Sequence, residues 1–366
     1  MNKPKTHTRG CFRWSALIAF VLFCACVTAG CVYSERFAEW CSTGVSHYVR
    51  SIIAALTRHV PFSLAEVIVV LGTLIIAVCL VVSLIRAIFC RRRGAFFRML
   101  LRLVYLALLL ACFFVLTFGV CYRRVPLETR MQLDTEHLTE LDMRAGASYL
   151  LAVCDQNLPA EVGENGSKMP YRFDYMAKQL EAAFKRTYQQ ECPTYFSVKK
   201  VMLSKPWTYT HISGMYMPFT AECNINVNYP DFIIVYSTAH EMAHHMGVAS
   251  EDEANLIALD VCLHADDAYI RYAGALGAAD YMLGELPSPM ARELLSACDA
   301  RVRAELAAYA AFFDEYRDAP AAVVANNVND TYLKAQGVTE GTRSYDRVSL
   351  LAAAYIKQMT TENQGE

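Results

Sequence analysis

This sequence lacks a large excess of either positive or negative charge. Its 366 residues include 34 Lys and Arg against 36 Asp and Glu, for a net charge of −2, and charged residues make up only 19% of the chain. Apart from a short run beside long apolar segments, the basic residues form no cluster. A surface that binds nucleic acid needs a basic patch. The composition therefore predicts no nucleic-acid partner.

Regular cysteine spacing is also missing. The chain has 14 Cys but no CxxC pair, which excludes a cysteine-rich structural zinc site. Nine of the 14 precede Arg124, mostly in or near apolar segments where Cys acts as a small apolar residue. The five others are odd in number and widely spaced, unlike a disulfide framework, and the sequence leaves open whether one or two bridges form.

Three apolar segments are long enough to cross a bilayer as helices. They cover about residues 14–33, 64–89 and 100–122, and none has an acidic residue at its centre. The sequence thus predicts a membrane domain over residues 1–124. Residues 125–366 contain no repeat or low-complexity tract and are numerous enough for a second domain with its own core.

Basic residues predict the orientation of these spans. They concentrate before the first span and between the second and third, at Lys3, Lys5, Arg9, Arg13, Arg86, Arg91, Arg92 and Arg93. The positive-inside rule then puts the N-terminus in the cytoplasm and the second domain outside it, on the outer face of the cytoplasmic membrane. An alternative is a lipoprotein-type signal peptide that ends at Cys31, which would leave two spans and the same orientation.

The second domain carries the motif His240-Glu241-Met242-Ala243-His244. On a helix, His240 and His244 lie one turn apart on the same face, where two imidazoles can bind one zinc ion. Glu241 then lies beside the open coordination position as a general base. Gly247 is a natural end for this helix. Zinc is therefore the expected cofactor.

The third metal ligand is expected from the acidic start of the next helix. Ser250 and Glu253 have the spacing of a capping box, which assigns Glu253 to helix capping, while Glu251 remains free. Both carboxylates are candidates from spacing alone. Glu251 and Asn255 resemble the E-x-x-x-D element of thermolysin-like gluzincins, and this resemblance implies Glu251 as the ligand. The spacing to Gly247 also resembles metzincins, although Ser250 stands where their third His would be.

The fold is predicted to be mainly α, with a zincin-like domain and a small β-sheet. Predicted helices cover residues 136–156, 171–190, 267–285, 288–316, 319–335 and 344–359, and predicted strands cover 195–203 and 221–229. A strand just before the HExxH helix is expected to be an edge strand that pairs with extended substrate. The Glu222 side chain on this strand faces either the cleft or the solvent. The sequence pattern alone favours the solvent.

Most of the chain resembles one bacterial family of membrane proteins with an HExxH motif, the domain of unknown function 3810. The resemblance rests on residues 213–220, 240–244, 251–255, 329–338 and 344–345, together with the three spans. The family name implies no activity or substrate. A broader resemblance to membrane-bound gluzincin peptidases covers only the helix–turn–helix zinc element.

Together these features predict a membrane-anchored zinc metallopeptidase that hydrolyses extracytoplasmic proteins or peptides through a zinc-activated water. Tyr272 is the candidate that stabilises the oxyanion, with a core aromatic as its alternative role. His245 is expected at the surface or behind the ligands, and His211 and His264 have no predicted role. The alternative function is a non-catalytic, zinc-stabilised sensor or assembly module; oligomeric state stays open.

Overall fold

A computed structural model describes residues 6–89, 93–336, 338 and 347–362. Within these ranges the protein is mostly helical, with only five short strands, which confirms the predicted fold class. Several sequence predictions rest on residues outside the described ranges: the basic residues Lys3, Lys5, Arg91 and Arg92, and the motif residues Ser344 and Tyr345.

Three helices are long and apolar enough to cross a membrane. They are α1 (Thr6–Tyr33), α4 (Leu64–Ile88) and α5 (Arg93–Thr117), and their apolar windows have mean hydropathies of 2.4, 3.1 and 2.6. The first two spans agree with the sequence prediction. The third lies about six residues earlier than predicted, because its first turns include Arg98 and Arg102, whose long side chains can extend from a helix end to the membrane surface.

Between the first two spans lie α2 (Glu35–Trp40), a π-helical turn (Cys41–Ser46) and α3 (His47–Thr57). After the third span, a 3₁₀ turn (Gly119–Arg123) leads into the second part of the chain. Its helices are α6 (Leu127–Arg130), α7 (Glu140–Gln156), α8 (Phe173–Thr187), α9 (Ser204–Thr208), α10 (Asp231–Met246), α11 (Glu251–Leu263), α12 (Ala268–Glu285), α13 (Ser288–Ala297), α14 (Ala300–Tyr316), α15 (Pro320–Ala335) and α16 (Val348–Glu362). The strands are β1 (Val162–Gly163), β2 (Gly166–Ser167), β3 (Val198–Lys200), β4 (Gly214–Met217) and β5 (Glu222–Ile225).

Helix caps account for two differences from the predicted helix boundaries. Helix α7 begins at Glu140 rather than residue 136, because Thr139 and Asp142 form a reciprocal capping box there. The predicted helix over 288–316 is two helices, since Cys298 is extended and Asp299 caps α14 by accepting a hydrogen bond from the Arg301 backbone.

The larger sheet corrects the predicted position of the edge strand. Its order is β3-β5-β4, with β5 parallel to β3 and antiparallel to β4. The strand nearest the HExxH helix in sequence, β5, is thus central, and the prediction that it forms the edge was wrong. Strand β4 lies at the edge instead, where Gly214 and Pro218 disfavour a central strand.

The HExxH helix α10 lies at the centre of the second part of the chain. It packs against α11 and α12 on one side and against β4 and β5 on the other, while α7 and α16 cover α12. Every residue of α10 from Phe232 to Met246 is buried except His240, which is partly exposed. This central position explains why α10 shows no amphipathic pattern in the sequence.

Glu222 joins the sheet to the second span. Its side chain is fully buried, so the prediction that it faces solvent was wrong. Its two carboxylate oxygens accept hydrogen bonds from the backbone N–H groups of Leu64 (3.1 Å) and Ala65 (2.7 Å), the first residues of α4. A carboxylate at a helix N-terminus satisfies free N–H groups and interacts favourably with the helix dipole. Strand β5 is therefore attached directly to the start of α4, a helix apolar and long enough to span a membrane.

Arg50 of α3 joins the third span to the end of the HExxH helix. Its guanidinium, which is only 1% exposed, donates hydrogen bonds to the carbonyls of His245 (3.1 Å), Met246 (3.3 Å) and Thr117 (2.8 Å). A cation at the C-terminus of α10 also interacts favourably with the helix dipole. The segment between the first two spans thus holds the end of the motif helix, and the division of the chain near residue 124 stays a prediction.

We expect Arg50→Met to destabilise the protein by on the order of 3 kcal/mol, because it leaves three buried carbonyls without their charged donor. Arg50→Lys keeps the cation but has fewer donors, so its loss should be smaller. Thermal unfolding of the full-length protein in detergent measures both. A midpoint for Arg50→Met equal to that of the wild type would contradict this role.

Candidate metal centre

Helix α10 presents His240 and His244 on the same face, as the motif predicts. Gly247 ends the helix in the left-handed region (φ 105°), where glycine is favoured because it lacks a Cβ. The turn brings the carbonyl of Val248 back to His244, whose Nδ1 lies 2.7 Å from it. This contact fixes the imidazole tautomer and leaves Nε2 of His244 to face the cavity. The predicted helix end at Gly247 is confirmed.

Glu251, at the start of α11, completes a group of three potential metal ligands. Its Oε2 lies 3.1 Å from Nε2 of His240 and 3.4 Å from Nε2 of His244, and the two Nε2 atoms are 3.0 Å apart. Zinc bonds to N and O ligands are about 2.0–2.2 Å long, so adjacent ligands in a tetrahedron lie about 3.3–3.6 Å apart. The three donor atoms therefore lie close to the spacing that a small divalent ion requires, and the group could hold a metal.

The charges in this group also suit a cation. Burial alone would suppress protonation of His244, but the Glu251 carboxylate outweighs it and raises the pKa of His244 to about 9. Burial alone would raise the pKa of Glu251, but the two imidazoles, His244 most strongly, hold it well below its usual range. A buried carboxylate that stays ionised beside two imidazoles attracts a cation, either protons or a metal ion.

Glu253, the rival third ligand, is used elsewhere. Its Oε1 accepts a hydrogen bond from the backbone N–H of Leu127 (2.7 Å), and burial raises its pKa to about 7. The predicted capping box is wrong, because Ser250 makes no cap bond to the helix backbone and instead donates to Asp252. Asn255 donates to the backbone carbonyl of Glu251 within α11 (2.9 Å). Of the two acidic candidates, the structure thus brings Glu251 to the imidazoles.

Glu241 lies in the same cavity and is only 5% exposed. Among the described residues, its Oε2 atom has no hydrogen-bond partner. Burial raises its pKa, although the two imidazoles and the Tyr216 backbone counteract part of this effect. Strand β4 passes so close that a Cβ at Gly214 would lie 2.7 Å from Cγ of Glu241, so only glycine fits there. A buried carboxylate with a free oxygen and a raised pKa suits a general base.

Tyr272 does not take part in this site, which corrects its predicted role. It is fully buried on α12, where its hydroxyl donates to Glu305 (3.4 Å), and it does not line the cavity. The alternative role as a core aromatic therefore holds. Periodicity could not separate the two roles, because they require the same residue type on the same helix.

Tyr122 and Tyr332 are among the tyrosines that do line the cavity. Tyr122 follows the third span, Tyr332 lies on α15, and the hydroxyl of Tyr122 donates to that of Tyr332 (3.0 Å). No described residue accepts the proton of the Tyr332 hydroxyl, which can therefore be donated into the cavity. Burial raises its pKa to about 12, so it stays protonated at neutral pH. Sequence reasoning assigned it no role, and its only signal was its place in the family-like segment 329–338.

The side chains of His211, His245 and His264 do not belong to the described metal group. His245 is 1% exposed, packs against the rings of Phe196 and Tyr216, and has its pKa lowered to about 3 by burial and by Arg50. The prediction of a surface position was wrong for His245.

The two histidines without a predicted role lie elsewhere. His264 contacts Asp260. His211 lines the outer part of the cavity, and its ring lies 2.7 Å from the carbonyl of Tyr316.

The cavity has a volume of about 780 Å³ and opens between three walls. One wall is the end of the third span, the second is β4 with the residues that follow it, and the third is α15. The HExxH helix and Glu251 form its floor. Such a cavity is large enough for several residues of an extended peptide.

A family model described as "Protein of unknown function (DUF3810)" matches residues 41–352 of this chain. The match covers most of the chain, including the second and third spans, the HExxH helix and α15. No curated protein matches the sequence. No solved structure matches it either.

Proposed function

This chain belongs to the DUF3810 family, and we propose that it is a membrane-anchored zinc metallopeptidase. The observation that carries the proposal is a buried oxygen of Glu241, without a partner among the described residues, beside a group of three potential ligands. A purely structural metal site needs no such carboxylate and more often closes with a fourth protein ligand. Three of the described residues form this group, so the fourth position around a tetrahedral metal ion stays open.

The donor set supports zinc among the common divalent ions. Two imidazole nitrogens and one carboxylate oxygen suit zinc, whereas magnesium and calcium prefer a shell of oxygen ligands. When bound, zinc lowers the pKa of water and polarises a peptide carbonyl. His240, His244 and Glu251 would hold it, with His244 oriented by the carbonyl of Val248.

The chain's own residues would carry the proton transfers. Glu241 accepts a proton from the attacking water and delivers it to the leaving amine, and burial, which raises its pKa, makes it a stronger base than an exposed carboxylate. Tyr332 donates its hydroxyl proton in a hydrogen bond to the oxyanion that develops on the scissile carbonyl, and Tyr122 orients that hydroxyl. The products are a carboxylate and an amine.

The catalytic side would face away from the cytoplasm. The C-terminal ends of α1 and α5 and the N-terminal end of α4 lie on the same side of the spans. The second part of the chain contacts the spans on that side. The basic residues that cluster before the first span and between the second and third flank the opposite ends of these helices. The positive-inside rule supports an outer location for the site.

The proposal is tested with the full-length protein in detergent and a random peptide library read by mass spectrometry. We expect about one zinc per chain and hydrolysis that stops when a chelator removes the metal and returns when zinc is added. Stoichiometric zinc without hydrolysis of any peptide would instead support the non-catalytic, zinc-stabilised module.

Replacing Tyr332 by Phe should lower kcat by roughly 10²–10³-fold, because one preorganised donor to the oxyanion is lost. Zinc content should not change, since the phenol is not a ligand. Tyr272→Phe is the matched control, because it removes the hydroxyl of a tyrosine that lies outside the cavity. Equal kcat values for the two variants would exclude Tyr332 as the donor.

A further inference from the structure

The cavity lies at the end of the third span, although 122 residues separate the end of that span, Thr117, from His240 in sequence. The ring of Phe118, one residue beyond the helix, contacts the ring of His244 at a centroid distance of 6.1 Å. Phe114, inside the span, contacts Tyr332 at 6.0 Å. The candidate metal group is therefore about one side chain away from the membrane end of a spanning helix.

Strand β4 leads from the membrane end of this cavity to its catalytic end. Gly214, its first residue, lies against Glu241. Met217, its last residue, pairs with Glu222, the residue that caps the second span. Beyond Met217, the ring of Phe219 stacks on Phe113 of the third span at 5.8 Å. At about 3.3 Å per residue, β4 covers about 10 Å between these two ends.

The outer edge of β4 suits an extended polypeptide. Because β4 is at the edge of the sheet, none of the described strands pairs with its outer side, and the main chain of a substrate can pair there. Met215 on β4 and Val328 on the facing helix α15 are 37% and 64% exposed. Apart from Glu241, Glu251 and the histidines, the described lining residues include no charged side chain. The cavity thus suits an uncharged, extended segment.

We propose that the substrate is a polypeptide anchored in the same membrane, cut in the extended segment that adjoins its own spanning helix. The proposal rests on the proposed peptidase function and names its substrate class. Main chain that leaves the bilayer beside Phe219 pairs with β4 and reaches the metal group within about three to five residues. The scissile bond lies within three to five residues of the membrane because β4 spans only that short distance.

The test uses the full-length protein in vesicles of phosphatidylethanolamine and phosphatidylglycerol. The probes are single-span polypeptides with a randomised juxtamembrane segment, in three forms: attached directly to the span, attached through a Gly/Ser spacer of about 20 residues, and free of any span. Such a spacer moves the segment about 25 Å away on average. We expect cleavage within about five residues of the span and a kcat/KM at least about tenfold higher for the directly attached form.

Two substitutions on α15 form a matched pair for the same assay. Val323 and Val328 are 63% and 64% exposed, but only Val328 lines the cavity. Val328→Asp should raise KM for the directly attached probe at least about fivefold with zinc content unchanged, because it buries a charge against the apolar segment. Val323→Asp should leave KM unchanged. Equal kinetic constants for both variants would overturn the proposed route between β4 and α15.

A binding experiment separates this proposal from the proposed chemistry. A photo-cross-linking residue at position 215, combined with Glu241→Gln, should capture the directly attached probe and not the spaced one. Selective capture without hydrolysis by the parent protein would contradict the peptidase function and retain the membrane substrate. Equal hydrolysis of all three forms would overturn the membrane substrate and retain the peptidase. No capture and no hydrolysis would overturn both.

Discussion

Replacing Glu251 by Ala should strip the metal from the purified full-length protein. Glu251 is the only carboxylate in the described group of three potential ligands, and its oxygen lies within 3.4 Å of both imidazole nitrogens. Changes to groups that merely orient a ligand cost roughly 10–100-fold in metal affinity, so loss of a ligand should exceed that. Zinc titration and elemental analysis, compared with the wild type, measure the effect.

Glu253→Ala is the matched control, two residues along the same helix. Its carboxylate bonds the backbone of Leu127, so this variant should keep its zinc and lose stability, by about 1–3 kcal/mol for a buried N–H left unpaired. Metal content and unfolding midpoint therefore separate the two residues. Zinc loss in Glu253→Ala with none in Glu251→Ala would reverse the assignment of the third ligand.

Glu241→Gln should lower kcat by roughly 10²–10⁴-fold while the protein keeps its zinc, because the amide retains the shape of the side chain but cannot accept the proton. Its stability should stay equal or rise, since the wild type buries a carboxylate oxygen that has no partner among the described residues. Single-turnover hydrolysis, zinc content and thermal unfolding are measured on the same preparation.

A loss of activity in Glu241→Gln is informative only if zinc content stays at the wild-type level. Activity close to that of the wild type would remove Glu241 as the base and, with it, the observation that carries the proposed function. Loss of zinc would show that Glu241 is needed to bind the metal, contrary to the geometry in which His240, His244 and Glu251 form the group.

Local patterns predicted the features that depend on neighbouring residues in sequence. The HExxH spacing placed His240 and His244 on one helix face, Gly247 ended that helix, and hydropathy located the first two spans. Hydropathy predicted the bounds of the third span less accurately than those of the first two. The chain remains apolar from Phe118 to Tyr122, so its end at Thr117 comes from the change to a 3₁₀ turn, which hydropathy does not register.

Features that depend on distant residues were not predictable in the same way. Glu222 has the sequence pattern of an exposed strand residue, yet it caps a helix 157 residues away. Tyr272 and Tyr332 are both aromatic residues on helices, and only packing decides that Tyr332 reaches the cavity. No local pattern carries these contacts, because they depend on how helices cross and on which strand ends the sheet.

The sequence by itself determined the candidate ligands His240 and His244, the candidate base Glu241, and the apolar helices long enough to span a membrane, because helical spacing and apolar length are local properties. It left the third ligand as a choice between two acids. Only the tertiary structure placed Glu251 with the imidazoles, moved the edge of the sheet to β4, and brought the end of the third span to His244. The first outcome depends on a turn whose geometry the residue types do not determine, the second on the pairing of β3 with β5, and the third on packing between segments more than 100 residues apart.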